Sequence, residues 1–93
     1  MTIMKKVKQR VLNYNTIFRQ EPEGGYTVIV PLLPGCVTYG KTFEQAEKMA
    51  KEAIGLYLES LAEHGEKAPV ETNRSLLIRV DVTSPQNLRF EYA

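Results

Sequence analysis

A chain of 93 residues, 43% hydrophobic and 25% charged, has the make-up of an ordinary globular protein and the length for one core, so a single domain over 1–93 is expected. No stretch approaches the ~18 consecutive apolar residues that a membrane span needs, and the start lacks the apolar core of a secretion signal, so a cytosolic protein is expected. One cysteine provides neither an internal disulfide nor a zinc site, and the net charge of +1 does not by itself favour nucleic acid.

The charge is unevenly placed. Residues 1–20 carry Lys5, Lys6, Lys8, Arg10 and Arg19 and no acid, whereas the rest carries seven bases and eleven acids. A basic arm over about 1–9 is therefore expected, with Lys5, Lys6, Lys8 and Arg10 as the candidates for contact with nucleic acid. Alternation from Arg10 to Arg19 predicts a first strand, with Leu12, Tyr14, Thr16 and Phe18 facing one way and Val11, Asn13, Asn15 and Ile17 the other. Glu21-Pro22-Glu23-Gly24-Gly25 predicts a hairpin turn, and the β-branched and aromatic run Tyr26–Val30 a second strand. Pro31-Leu32-Leu33-Pro34-Gly35 interrupts it, because two prolines remove ladder donors, and a short third strand is predicted over Cys36–Tyr39.

The helix is the clearest signal. Thr42-Phe43-Glu44-Gln45 forms a capping box, in which the threonine hydroxyl accepts from a first-turn amide while Gln45 reaches back to the cap. Phe43, Ala46, Ala50, Ala53, Ile54, Tyr57, Leu58, Leu61 and Ala62 then recur as one apolar stripe, opposite Glu44, Glu47, Lys48, Lys51, Glu52, Glu59 and Glu63. His64-Gly65 closes a rod about 33 Å long. After a polar connection through Pro69, Leu76, Ile78, Val80 and Val82 alternate with Leu77, Arg79, Asp81 and Thr83, which predicts a fourth strand parallel to the first by a right-handed crossover. Ser84-Pro85-Gln86-Asn87 turns again, and Leu88, Phe90 and Tyr92 in the tail, about 84–93, leave open a short fifth strand or an arm laid on another subunit. The expected fold is α+β, β-β-β-α-β, with sheet order 3-2-1-4 and one long helix on one face. The other face, with Val11, Ile17, Ile29 or Leu77 on it, points to self-association as a homodimer or tetramer.

No group of residues speaks for catalysis. This strand order resembles the start of the ribonuclease H fold, but the predicted first strand carries no acid before Glu21 to hold magnesium, and the helix carboxylates fall on the solvated face. Cys36 has no base near it in sequence, and His64 stands at the far end of the helix. No catalytic residue, metal ligand or cofactor site is expected, and no cleavage of RNA or DNA.

The run from Tyr26 to Ala46 resembles the signature of HicB-like antitoxins: a strand ending in Pro31, then Leu33-Pro34-Gly35-Cys36, then Gly40-Lys41-Thr42 opening the helix. Ala53-Ile54-Gly55-Leu56-Tyr57-Leu58, His64-Gly65-Glu66 and Pro69 resemble it as well. The resemblance spans 26–70 and implies a partial ribonuclease H-like domain without nuclease activity, which neutralises a HicA-type messenger-RNA-cleaving toxin by covering its active site. Many members of that family add a C-terminal DNA-binding domain; eleven residues follow Val82, and a form without one is expected. Where the family commonly has acidic residues before Leu-Pro-Gly and before the capping threonine, this sequence has Leu32 and Lys41. Leu32, Leu33, Pro34, Gly35 and Cys36 are the candidates for binding the partner. A homo-oligomeric scaffold or regulator, and a nucleic-acid binder using the basic arm, remain as alternatives.

Overall fold

The computed structural model describes residues 11–92. Three short strands, β1 (Ile17–Gln20), β2 (Tyr26–Ile29) and β3 (Val37–Gly40), precede one helix, α1 (Phe43–Glu63). The strands form an antiparallel meander, β1-β2-β3, in which Phe18 pairs with Val28 and Val28 with Thr38. Sheet period places Phe18, Val28 and Thr38 on the face toward α1, and Ile17, Ile29 and Val37 in a row on the other.

The first strand is shorter than its alternation predicts. It pairs only opposite Tyr26–Ile29, because β2 stops before Pro31 and the loop beyond has no ladder to offer Val11–Thr16. The predicted fourth and fifth strands do not form, so the described sheet has three strands and not the order 3-2-1-4. After α1, the chain is tied to the first strand's approach by Asn15: its Nδ2 donates to the Asn73 carbonyl (2.9 Å) and its Oδ1 accepts from the Ser75 amide (3.3 Å). From Thr72 to Tyr92 every residue is exposed. Alternation makes a segment competent for a sheet, but a strand exists only where a neighbour takes its backbone groups, and Leu76–Thr83 has none here. The turn after it does form, with Asn87 in the left-handed region at φ 66°.

The helix begins and ends as its sequence demands. Thr42 is the N-cap, its Oγ1 accepting from the Gln45 amide at 3.1 Å, and Gln45 Oε1 reaches one residue past the cap to accept from Lys41 N–H at 2.6 Å. At the other end Gly65 adopts φ +66°, so that its amide reaches the Ala62 carbonyl and the Glu66 amide the Leu61 carbonyl. That pair of bonds satisfies carbonyls the helix would otherwise leave open.

Two small apolar clusters join α1 to the sheet. Val28, Ala46 and Ala50 form one, flanked by Phe18 and Tyr26; Val30, Leu33 and Cys36 form the other, flanked by Tyr14, Ala53, Ile54 and Tyr57. The helix lies mainly over β3 and less over β2. It can do so because Gly40 has no side chain: a Cβ there would overlap the backbone of Ala46. Phe43 remains about half exposed and edges against Phe18 and Tyr26, with ring centroids 4.8 and 5.9 Å away.

Two substitutions test this arrangement by denaturant unfolding. Thr42→Ala is expected to cost on the order of 1 kcal/mol through the lost cap. Gly40→Ala is expected to cost about 1–3 kcal/mol, since it overfills a close helix–sheet contact. A neutral Gly40→Ala would mean that α1 does not rest on β3.

Candidate binding site

Backbone geometry defines the 31–36 loop before any side chain is considered. Val30 N–H donates to the Cys36 carbonyl at 3.1 Å and closes the loop's neck, while Leu33 N–H reaches back to Val30 and Cys36 N–H to Leu33. These bonds turn Leu33 inward. It is fully buried, and Cys36 is nearly so, against Ala53, Ile54 and Tyr57. Tyr57 fastens the loop from the helix side, its hydroxyl donating to the Pro34 carbonyl at 3.0 Å. The loop thus packs on the second half of α1, while Phe43 at the helix start belongs with Phe18 and Tyr26.

The five candidate residues therefore divide by burial. Leu33 and Cys36 are interior and hold the loop's shape; Pro34 and Gly35 are exposed, and Leu32 is half-buried. Pro31, which ends the second strand and is not among those five, is also exposed and completes the outward surface. Such a surface, apolar and fixed from beneath, suits contact with a macromolecule, because little conformational freedom remains to be lost on docking. The basic candidates Lys5, Lys6, Lys8 and Arg10 lie outside the described residues.

The titratable groups here serve the fold. Burial pushes the Cys36 thiol pKa up, the opposite of what a nucleophile requires. Glu21, the acid nearest the first strand, sits in the β1–β2 turn. Its Oε2 accepts from the Thr27 hydroxyl and from Arg19 Nε at 3.1 Å, which spans the paired residues Arg19 and Thr27. The Thr27 hydrogen bond first, then the Arg19 hydrogen bond and charge, lower its pKa below the ordinary carboxylate value. No group of three or more His, Cys, Asp or Glu residues able to hold a metal ion occurs among the described residues. His64 is taken up at the helix end, with Nδ1 2.7 Å from the Ser60 carbonyl. The helix carboxylates Glu44, Glu47, Glu52, Glu59 and Glu63 are all exposed. No helix of the described residues is long and apolar enough to cross a membrane.

A three-stranded meander under one capped helix, with a braced apolar loop at their junction, defines a small α+β domain. Comparison with known proteins makes that class specific: the profile of the HicB-like antitoxins of bacterial toxin–antitoxin systems matches residues 14–80, and the chain belongs to this family. It is 42% identical over 67 residues to a UPF0150 protein of Thermoplasma acidophilum, a match that covers 72% of this chain and 97% of the relative. A UPF0150 protein of Synechocystis is 39% identical over 71 residues, 76% of this chain and 86% of the relative. A Haemophilus phage HP1 protein is 44% identical over 45 residues, 48% of this chain and 34% of that protein. Relatives thus occur in an archaeon and a phage as well as in a cyanobacterium.

Two measurements check the site. The Cys36 thiol is expected to react with an aromatic disulfide reagent far more slowly in the native protein than in denaturant; equal rates would place it at the surface. Glu21 has a lowered folded pKa, so its stabilisation is present above the ordinary value of 4.5 and is lost as pH falls through the lower folded value. The stability gap between wild type and Glu21→Gln should accordingly close on acidification, and a gap that persists in strong acid would remove the turn's charge from the account.

Proposed function

We propose that this chain is an antitoxin that acts by binding and not by catalysis, neutralising a HicA-type messenger-RNA-cleaving toxin in the cytosol through the outward surface of the 31–36 loop. The observation that carries this reading is membership of the HicB-like antitoxin family over 14–80, a span that includes the whole loop. Loop geometry supports it: Pro31, Leu32, Pro34 and Gly35 form an outward apolar surface over a buried Leu33 anchor. With Leu32 and Lys41 in place of the family's common acids, attraction between opposite charges contributes less here than shape and apolar contact.

Co-expression with a toxin encoded in the adjacent reading frame is expected to relieve growth arrest, and Pro34→Glu or Pro31→Glu to abolish the relief while the circular dichroism spectrum and unfolding midpoint stay near wild type. Leu33→Glu cannot serve this purpose, because it would place a charge in the core. If both surface variants still rescue, the loop is structural and the toxin docks elsewhere. If the wild type fails to rescue, the alternatives of a scaffold or of nucleic-acid binding by the basic arm take precedence.

A further inference from the structure

Two features of the chain lack a counterpart within it. The first is a groove beside β1 on the helix side, whose lining combines the apolar Tyr14, Phe18, Phe43, Ala50 and Ile54 with the charged Glu44, Glu47, Lys48 and Lys51 of α1. It exists because α1 lies mainly over β3 and less over β2, so that beside β1 the helix is met chiefly by Phe18, through Phe43. β1 itself is an edge strand whose outward backbone groups have no ladder partner among the described residues. The second feature is the 76–83 arm. Leu76, Ile78, Val80 and Val82 are 67–84% exposed, and Leu77 on the opposite side is 76% exposed.

The two features match in pattern, and the apolar part of the groove matches the arm in chemistry. A strand set beside β1 would turn one alternate set of side chains into the groove and the other toward the row Ile17, Ile29 and Val37 on the far face. The arm has an unbroken apolar set for the groove, and Leu77 followed by Arg79, Asp81 and Thr83 for the far face. Its own chain does not deliver it there: the Asn15 anchor holds 73–75, Leu76 and Leu77 pass Ile17 and Pro31, and the chain then runs out into solvent.

We propose that the 76–83 arm of one copy is the fourth strand of a second copy, lying along its β1 edge with Leu76, Ile78, Val80 and Val82 in the groove, and that the exchange is reciprocal. A two-fold dimer then has two four-stranded sheets, each of order 3-2-1-4 with the last strand supplied by the partner. This goes beyond the antitoxin reading and does not depend on it, since no toxin enters the argument.

The experiment is sedimentation of the full chain at micromolar concentration, with hydrogen exchange on the same samples. A particle of twice the chain mass is expected, with slow exchange at those β1 amides that do not bond to β2. The double variant Ile78→Asp/Val80→Asp changes side chains that are largely exposed in their own chain, so it is expected to keep the helical circular dichroism signal, sediment as a monomer and lose the β1 protection at least tenfold. A full-length monomer would overturn the proposal, including one with β1 protected, because the arm would then have folded back on its own chain. A double variant that remains dimeric would overturn it as well.

Discussion

The closeness with which α1 sits on β3 governs the rest of the molecule. Only a glycine at position 40, with Ala46 above it and Ala50 one turn on, lets the helix backbone approach the sheet so nearly. Dispersion and water exclusion fall off steeply with separation, so this contact fixes the helix axis at its N-terminal end. The Thr42 cap then sets where the axis begins. Everything downstream follows from the direction of that rod. Its second half passes above the 31–36 loop, where Ala53, Ile54 and Tyr57 cover Leu33 and Cys36. Its flank leaves a groove beside β1, where Phe43 meets Phe18.

The loop and the groove are therefore two outcomes of one constraint. On one side the helix meets a segment that two prolines have forced out of the sheet, and it braces that segment through a leucine and a tyrosine hydroxyl. The result is a rigid apolar projection in a protein whose core is otherwise small. On the other side the helix, seated mainly over β3, leaves the groove beside β1 open. A three-stranded meander cannot bury a stripe that runs from Phe43 to Leu61, which is why much of that stripe is only half-buried. A small domain with few fully buried side chains has limited means of stabilising itself, and association is the usual remedy.

Most of this was legible in the sequence where the signal was local. The cap at Thr42, the stop at Gly65, the turn at 21–25 and the strands flanking Pro31 and Pro34 are each dictated by residues within a few positions, and each stands close to where the pattern places it. The resemblance in 26–70 likewise named the family that the comparison over 14–80 establishes. What was not legible depends on partners distant in sequence. Alternation from Arg10 and from Leu76 reads as strand in both cases, yet β1 is cut to four residues and Leu76–Thr83 pairs with nothing, because pairing is decided by what lies alongside. Within the candidate site, composition grouped Leu32 with Leu33. Only the folded loop reveals that Leu33 is fully buried and Leu32 half-buried. The anchor that Asn15 provides for 73–75 had no signal at all, since an asparagine before a strand is common and its partners lie some sixty residues on.

The central claim is that a loop braced from within is the surface by which this protein engages a toxin. Hydrogen–deuterium exchange of the full chain, alone and with a catalytically inactive toxin from the adjacent reading frame, addresses it directly. The account predicts that slowed exchange on complex formation concentrates at the exposed part of 31–36, while the amides of α1 over Leu33 change little. Slowing confined to the exposed face of α1 or to the 76–92 arm, with the loop unchanged, would contradict it.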